Sequence, residues 1–262
     1  MILKEKQVPI QEKFFSVQGE VGSSPSIFVR SGLCNLNCPG FGCKVTLPDG
    51  TTLVGCDTIR AVSPKFKNEW TYYSDYQTLV KDIKKLIPFK KDNFLLEIKP
   101  DIVWTGGEPL LWWNTKVMQN TLSYFISRGH KVTIETNASQ DIEFFREYQK
   151  KIKFSMSVKL SASGEKKQDR INIETITKIV ENCPDSYLKF VINPETWEND
   201  IQEIREILEE IPYFMNIYLM PLGQNKNELL KNTQFVMEKC VENGFSFSNR
   251  NHILAWNDKP GV

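Results

Sequence analysis

The residues with the clearest capacity for chemistry are thiols. Four of the chain's six cysteines, Cys34, Cys38, Cys43 and Cys56, fall in the run CNLNCPGFGCKVTLPDGTTLVGCDT, residues 34 to 58. Three residues separate Cys34 from Cys38, a spacing that lets two thiolates of one loop reach a common metal centre. The same run holds Pro39, Gly40, Gly42, Pro48, Asp49, Gly50 and Gly55, breakers that make it a long loop rather than a helix. Loops of this kind hold iron–sulfur clusters or zinc. Zinc is the stronger rival, although the spacing is Cys-x3-Cys rather than Cys-x2-Cys and no histidine lies nearby. Disulfides need an oxidising compartment, to which nothing in the chain points. The loop alone says metal and leaves open which.

Something must position those thiols. A chain of 262 residues buries one sizeable core, and an α/β barrel of this length is ordinarily a single domain. With 33 basic against 32 acidic side chains there is no general electrostatic case for nucleic acid or a membrane surface as partner. The N-terminal MILKEKQVPIQEKFF lacks the apolar run of a signal peptide, and no 18-residue apolar stretch occurs, so a cytoplasmic location with reduced thiols is expected. A short β element at 13–17 and a turn at 18–25 precede the first convincing strand, 26–30, and the cysteine loop follows directly. Helical spacing then appears over 76–87. Strands at 101–104, 131–135, 153–159, 187–192 and 216–220 alternate with helices near 115–128, 142–150, 173–182, 200–210 and 227–243. Six β/α repeats predict a parallel sheet with right-handed crossovers.

In a β/α barrel, open or closed, chemistry lies where strands end and loops begin. Here those positions are Arg30 with the cysteine loop, Thr105-Gly106-Gly107-Glu108-Pro109, Glu135-Thr136-Asn137, Ser157-Val158-Lys159, Asn193-Pro194 and Met220-Pro221-Leu222-Gly223. Polar βα loops are common singly; as a set beside four thiols they predict one shared pocket. In TGGEP, two glycines allow close backbone approach to a ligand. Glu108 adds a carboxylate suited to a ligand ammonium.

A Cys-x3-Cys loop after the first strand, joined to TGGEP after the second, resembles the radical S-adenosylmethionine superfamily. Within it the chain is most similar to the 7-carboxy-7-deazaguanine synthase family. The resemblance is carried by Phe15-Ser16-Val17-Gln18-Gly19-Glu20, Ile27-Phe28-Val29-Arg30, Gly32-Leu33-Cys34-Asn35-Leu36-Asn37-Cys38, Cys56-Asp57-Thr58, Thr105-Gly106-Gly107-Glu108-Pro109 and Glu135-Thr136-Asn137. It runs from residue 13 to the C-terminus and is most specific before residue 140. It implies a partial TIM-like barrel of β6/α type with parallel strands, a modified form of the superfamily core, over one domain spanning 1–262. One departure stands out. The position three after Cys38 is Phe41, and Cys-Asp-Thr appears only at 56–58, which marks about 39–55 as an insertion in the cluster loop.

The resemblance also implies the reaction and its cofactors. A [4Fe–4S] cluster and S-adenosylmethionine generate a 5′-deoxyadenosyl radical, which starts the ring contraction of 6-carboxy-5,6,7,8-tetrahydropterin to 7-carboxy-7-deazaguanine with loss of ammonia. Cys34, Cys38 and Cys56 are assigned to the cluster, with Cys34, Cys38 and Cys43 as the alternative triad. Gly106, Gly107, Glu108, Asp57, Glu135, Ser157, Val158, Lys159, Met220, Pro221, Leu222 and Gly223 are assigned to S-adenosylmethionine, although Met220 stands where the family has glutamine. Val17, Gln18, Gly19, Arg30, Thr105 and Val262 are assigned to the pterin, Arg30 pairing with its carboxylate; a surface salt bridge is the other reading of Arg30. Thr58 is assigned to Mg2+, a cation that keeps much of its water. An electron donor such as flavodoxin or ferredoxin and a homodimer complete the expected partners. Two other readings remain open: another radical S-adenosylmethionine enzyme such as a glycyl-radical activase, and a zinc-stapled binding protein without catalysis.

Overall fold

The structure, a computed structural model, describes residues 3–17, 24–87, 99–257 and 259. In chain order its elements are β1 (Val8–Ser16), β2 (Ser26–Ser31), β3 (Cys43–Thr46), β4 (Thr52–Gly55), α1 (Ile59–Val62), β5 (Thr71–Tyr73), α2 (Tyr76–Lys84), β6 (Asp101–Gly106), α3 (Lys116–Ser127), β7 (Val132–Thr136), β8 (Ile152–Met156), α4 (Lys167–Arg170), α5 (Ile173–Asn182), β9 (Tyr187–Ile192), α6 (Trp197–Glu210), β10 (Asn216–Pro221), α7 (Lys226–Asn243), β11 (Ser246–Phe247) and α8 (Asn251–Trp256).

Among the described residues, nine strands make one sheet in the order β11-β10-β9-β8-β7-β6-β2-β1-β5, with β3 and β4 a separate hairpin. From β2 through β11 every pairing is parallel, while β1 runs antiparallel to β2 and to β5. All six strands read from the sequence are therefore present and parallel, in a sheet whose two edge strands are not paired with each other. A sheet of this kind, wound with helices, is the partial barrel expected.

Helix ends follow their capping chemistry. Thr115, Asn172 and Asn225 each accept a backbone N–H of the first turn of α3, α5 and α7. Gly129 and Gly244, both at positive φ, follow the last turns of α3 and α7. The helix expected at 142–150 is not there; only a 3-10 turn forms, at Glu147–Lys151. The reason is Gln149, fully buried, whose Oε1 accepts from the backbone N–H of Phe145 (2.8 Å) and Arg146 (2.9 Å) while Nε2 donates to Gln119 (2.8 Å). A side chain thereby takes the hydrogen bonds that a helix would have made. The segment 39–55 is likewise more ordered than the plain loop expected. Asp49 accepts from Thr51 N–H (2.9 Å) and Gly50 sits at φ 82, so Leu-Pro-Asp-Gly-Thr turns the β3–β4 hairpin.

Each strand of the parallel set has an apolar side and a more polar one. Val29, Trp104, Ile134, Phe154, Leu188 and Phe190 are buried beneath the helices. Phe154 packs tilted against Trp113 at a centroid distance of 5.9 Å and edge-on to Phe144 at 6.0 Å. Phe154→Ala leaves a cavity between those rings and should destabilise by about 3–5 kcal/mol; the check is a lower urea midpoint at unchanged slope.

Candidate functional site

β2 delivers the chain to the thiol loop at its C-terminal end. Leu33, at φ 71, donates its N–H to the Ala61 carbonyl (2.8 Å), which ties the start of the loop to α1 beyond its end. A Cβ on Gly55 would lie 2.8 Å from the Asn37 carbonyl oxygen, so only glycine lets the two limbs of the loop touch. These contacts gather residues 33–38 and 55–58 and leave the hairpin outside. Cys38 and Cys56 both act electrostatically on Cys34, and Cys56 acts on Cys38. Cys43 sits on the hairpin's first rung opposite Gly55, and its strongest thiol neighbour is Cys56. Burial raises all four thiols, Cys38 and Cys43 to about 12. As free groups they stay protonated at neutral pH, and a bound metal centre is what turns such groups into thiolates. Three thiols without imidazole or carboxylate are the soft donor set that iron–sulfur chemistry takes, so the residues present fit such a cluster. Among the described residues, no three His, Cys, Asp or Glu side chains converge closely enough for a single metal ion.

The TGGEP loop lies against this one. The Gly107 N–H donates to Ser31 (3.0 Å) and the Glu108 N–H to Leu33 (2.7 Å). A Cβ on Gly107 would stand 1.9 Å from the Leu33 oxygen, and one on Gly106, at φ 122, 2.3 Å from the Ser31 oxygen. The glycines are thus required first by the approach of the thiol loop's backbone. Glu108 is fully buried. Its Oε1 accepts from Leu110 N–H (2.9 Å) and the Thr136 hydroxyl (2.6 Å), and its Oε2 from Asn137 N–H (2.8 Å). Burial raises its pKa against the pull of those donors. Glu108 therefore pins β6 to the end of β7, with acceptor capacity left on Oε2. Asn137 continues the network, donating to Asn35 (3.0 Å) and to the Cys34 sulfur (3.8 Å).

On the polar side of the sheet Arg30 is in register with Thr105 and Glu135 with Ser155. The Thr105 hydroxyl donates to Glu135 Oε2 (2.8 Å), and Lys189 Nζ reaches Glu135 Oε1 (3.3 Å) across the small Ser155 of β8. Burial works to raise the Glu135 carboxyl, but Lys189, Thr105 and Arg30 hold it below the usual carboxylate range. Burial works in turn to lower Lys189, and Glu135 outweighs it, so the pair is charged. Arg30 gives Nε to Glu12 (2.8 Å), the salt bridge anticipated as its other reading, which leaves the paired Nη edge for a carboxylate. From the C-terminal segment Arg250 forms an ion pair with Asp57 and donates to the Gly223 carbonyl (2.9 Å). The Asp57 carboxyl is lowered: burial opposes this, but Arg250 and Arg30 prevail. His252 faces the same groups, with Nδ1 buried and without a hydrogen-bond partner among the described residues.

Ser157 and Lys159 meet through Lys159 Nζ, which donates to the Ser157 carbonyl (2.7 Å) and hydroxyl (2.9 Å), and Val158 is buried beside them. Met220 and Pro221 end β10, the Leu222 N–H donates to Ile192 (2.9 Å), and Gly223 lies against Leu229 of α7. The Thr58 hydroxyl is 3.2 Å from the Cys56 sulfur. Val17 is 49 % exposed at the end of β1. Gln18, Gly19 and Val262 lie outside the described residues. Sequence reasoning did not reach Lys189, Arg250 or His252. For Lys189 a signal existed, a charge at an alternate position of the strand Tyr-Leu-Lys-Phe-Val-Ile; for the other two there was none.

No family model matches the chain. It is similar to the 7-carboxy-7-deazaguanine synthase of Halobacterium salinarum, 26% identical over 97% of this chain and 92% of that protein. The protein of the same name from Clostridium acetobutylicum is 26% identical over 97% and 98% of the two chains, and that of Rhodopirellula baltica is 24% identical over 98% and 90%. The crystal structure of QueE from Escherichia coli shares the fold, with a TM-score of 0.59, 19% identity and coverage of 93% and 94%.

Two measurements test this geometry. After anaerobic reconstitution, Cys43→Ala should keep its full iron content, while Cys34→Ala, Cys38→Ala and Cys56→Ala lose most of theirs. Loss at Cys43 with retention at Cys56 would reverse the ligand assignment. The second concerns His252, lowered to about 4 from 6.5 by burial and by Arg250 and Arg30, against the opposing Asp57 and Glu135. Between those values the unfolded chain binds the extra proton, so stability is full above about pH 6.5 and falls as pH drops toward about 4. Urea titrations across that window should show the slope in the parent protein and a flatter one in His252→Gln; an unchanged slope in the variant would assign it to other groups.

Proposed function

We infer that this chain belongs to the 7-carboxy-7-deazaguanine synthase family of radical S-adenosylmethionine enzymes and carries out that family's reaction. It contracts 6-carboxy-5,6,7,8-tetrahydropterin to 7-carboxy-7-deazaguanine with loss of ammonia, a step of queuosine and other 7-deazapurine biosynthesis. One observation carries the reading beyond likeness of sequence. The thiol loop, the TGGEP loop and a charged row of Arg30, Thr105, Glu135 and Lys189 meet at the same ends of parallel strands. That is where a β/α fold does its chemistry.

When bound, the cluster supplies the electron that cleaves S-adenosylmethionine to the 5′-deoxyadenosyl radical that opens the reaction. The chain's own residues bind and orient. Cys34, Cys38 and Cys56 hold the cluster. Gly106, Gly107 and Glu108 with Ser157, Val158, Lys159 and the segment Met220-Pro221-Leu222-Gly223 line the S-adenosylmethionine side, and Asp57, steadied by Arg250, closes it. Arg30 offers its Nη edge to the substrate carboxylate, a planar charge that a bidentate guanidinium fits. Thr105 faces the substrate beside it, as does Val17 at the pocket's edge. Glu135, held ionised by Lys189 and Thr105, belongs to the S-adenosylmethionine side. Thr58 serves Mg2+ together with water and substrate oxygens. Flavodoxin or ferredoxin as reductant, a homodimer, a cytoplasmic location and the single domain of 1–262 complete the proposal. No helix among the described residues is long and apolar enough to cross a membrane.

The test is anaerobic turnover of the reconstituted protein with the carboxytetrahydropterin, S-adenosylmethionine and dithionite. 7-Carboxy-7-deazaguanine should form, and Arg30→Ala should raise KM at least about tenfold, as loss of a charge-assisted bidentate contact implies. 5′-Deoxyadenosine without any deazapurine would reassign the chain to another radical S-adenosylmethionine reaction.

A further inference from the structure

Beyond these residues, the second thiol is held from behind by a group that neither the motifs nor the reaction accounts for. Cys38 has φ 51 and ψ 57, a left-handed conformation that a residue with a Cβ adopts only when its surroundings impose it. What imposes it here is Glu165, 127 residues away in sequence. Its Oε1 accepts from the backbone N–H of Asn37 at 2.7 Å and of Cys38 at 2.6 Å. Two consecutive amides aimed at one oxygen form a small anion-binding concavity, and a side chain of the protein fills it.

Glu165 is itself anchored. It lies between β8 and α4, directly after Gly164, whose φ is +79. A Cβ on Gly40 of the thiol loop would stand 2.0 Å from the Ala162 carbonyl oxygen, so the two loops touch backbone to backbone. Arg170, 4 % exposed, donates Nε to the Glu165 carbonyl (3.1 Å) and Nη1 to the Lys159 carbonyl (2.8 Å). It is ion-paired through Nη2 with Glu203 of α6 (2.5 Å), whose other oxygen accepts from Ser161 N–H (2.7 Å). A continuous strut therefore runs from α6 through Glu203 and Arg170 to Glu165 and the Cys38 amide. On its way it fixes Lys159 at the S-adenosylmethionine side.

We propose that Glu165 is a positioning residue for the iron–sulfur cluster: its carboxylate sets the backbone of the Cys38 ligand and places a negative charge beside it. The proposal rests on the reading of Cys34, Cys38 and Cys56 as cluster ligands. Two consequences follow from the chemistry. The Asn37 and Cys38 amides are engaged by Glu165 and withheld from the cluster's sulfurs. A fixed negative charge within electrostatic reach of the Cys38 sulfur disfavours adding an electron, so it holds the potential low, which suits a centre that must reduce a sulfonium.

The experiment uses the full chain, with Glu165→Gln, which keeps an acceptor but not the charge, and Glu165→Ala, which keeps neither. On protein without cluster, amide exchange at Asn37 and Cys38 should quicken at least tenfold in Glu165→Ala. On reconstituted protein, Glu165→Ala should lose iron to a chelator several-fold faster than the parent. Glu165→Gln should hold iron better than Glu165→Ala yet show a cluster potential shifted to a less negative value, a change that a purely structural role would not produce. Parent-like exchange in Glu165→Ala, or a parent-like potential in Glu165→Gln, overturns the proposal. A parent chain that takes up no cluster at all overturns the reading of the thiols and this proposal with it, while amide exchange still reports whether Glu165 grips the loop.

Discussion

The hydrogen bond from Leu33 to Ala61, with the Asn37 carbonyl seated against the bare α-carbon of Gly55, is the contact on which the site depends. It joins two stretches separated by a hairpin and makes one thiol set of them. Once they are joined, the TGGEP loop has a fixed surface to pack on, and that is why Gly107 cannot carry a side chain. Glu108 then ties the TGGEP loop to Thr136 and Asn137, and Asn137 returns to the Cys34 sulfur. The ends of β2, β6 and β7 are thereby locked together through backbone and buried-carboxylate hydrogen bonds. Buried carboxylates are tolerated there only because each lone pair in use has a donor.

The two sides of the sheet divide the work of stability and function. Beneath the helices the strands present mainly apolar side chains, and burial there stabilises the fold. The other side carries Arg30, Glu135, Lys189, Asp57 and Arg250, all but the exposed Asp57 partly withdrawn from water. Placing charges there opposes folding unless each has a partner, and removing one partner leaves the other stranded. The pairs Glu12–Arg30, Glu135–Lys189 and Asp57–Arg250 therefore keep these groups charged and each of them partnered.

Much of this was legible in the sequence, for reasons that differ by element. Strand and helix alternated clearly because short β-rich apolar segments alternate with stretches of helical spacing, both signals carried by neighbouring residues. The thiols and TGGEP could be read because their chemistry is local in sequence. The span 142–150 misled because its apolar spacing is helical, while the buried Gln149 takes the backbone donors that would have made the helix. The C-terminal residues Arg250 and His252 left no trace, since their roles arise only when α8 is brought over Asp57, 193 residues away from Arg250. Glu165 is the same case: an ordinary glutamate until the fold sets it against the Cys38 amide.

The segment 39–55 shows why spacing along the chain is a weak guide to which thiols meet in space. Loop closure grows only logarithmically with length, so even a doubling of the loop costs about 0.6 kcal/mol more. Here the intervening residues also order themselves, through the Cys43–Gly55 rung, the Thr46–Thr52 hydroxyl contact at 3.2 Å and the Asp49 turn. A hairpin that closes on its own returns the chain close to where it left. Cys56 is then delivered beside Cys34 and Cys38 as though the intervening residues were absent. The Cys-x3-Cys pair and the distant Cys-Asp-Thr behave in space as one motif, and Cys43 sits beside it because it forms the hairpin's first rung.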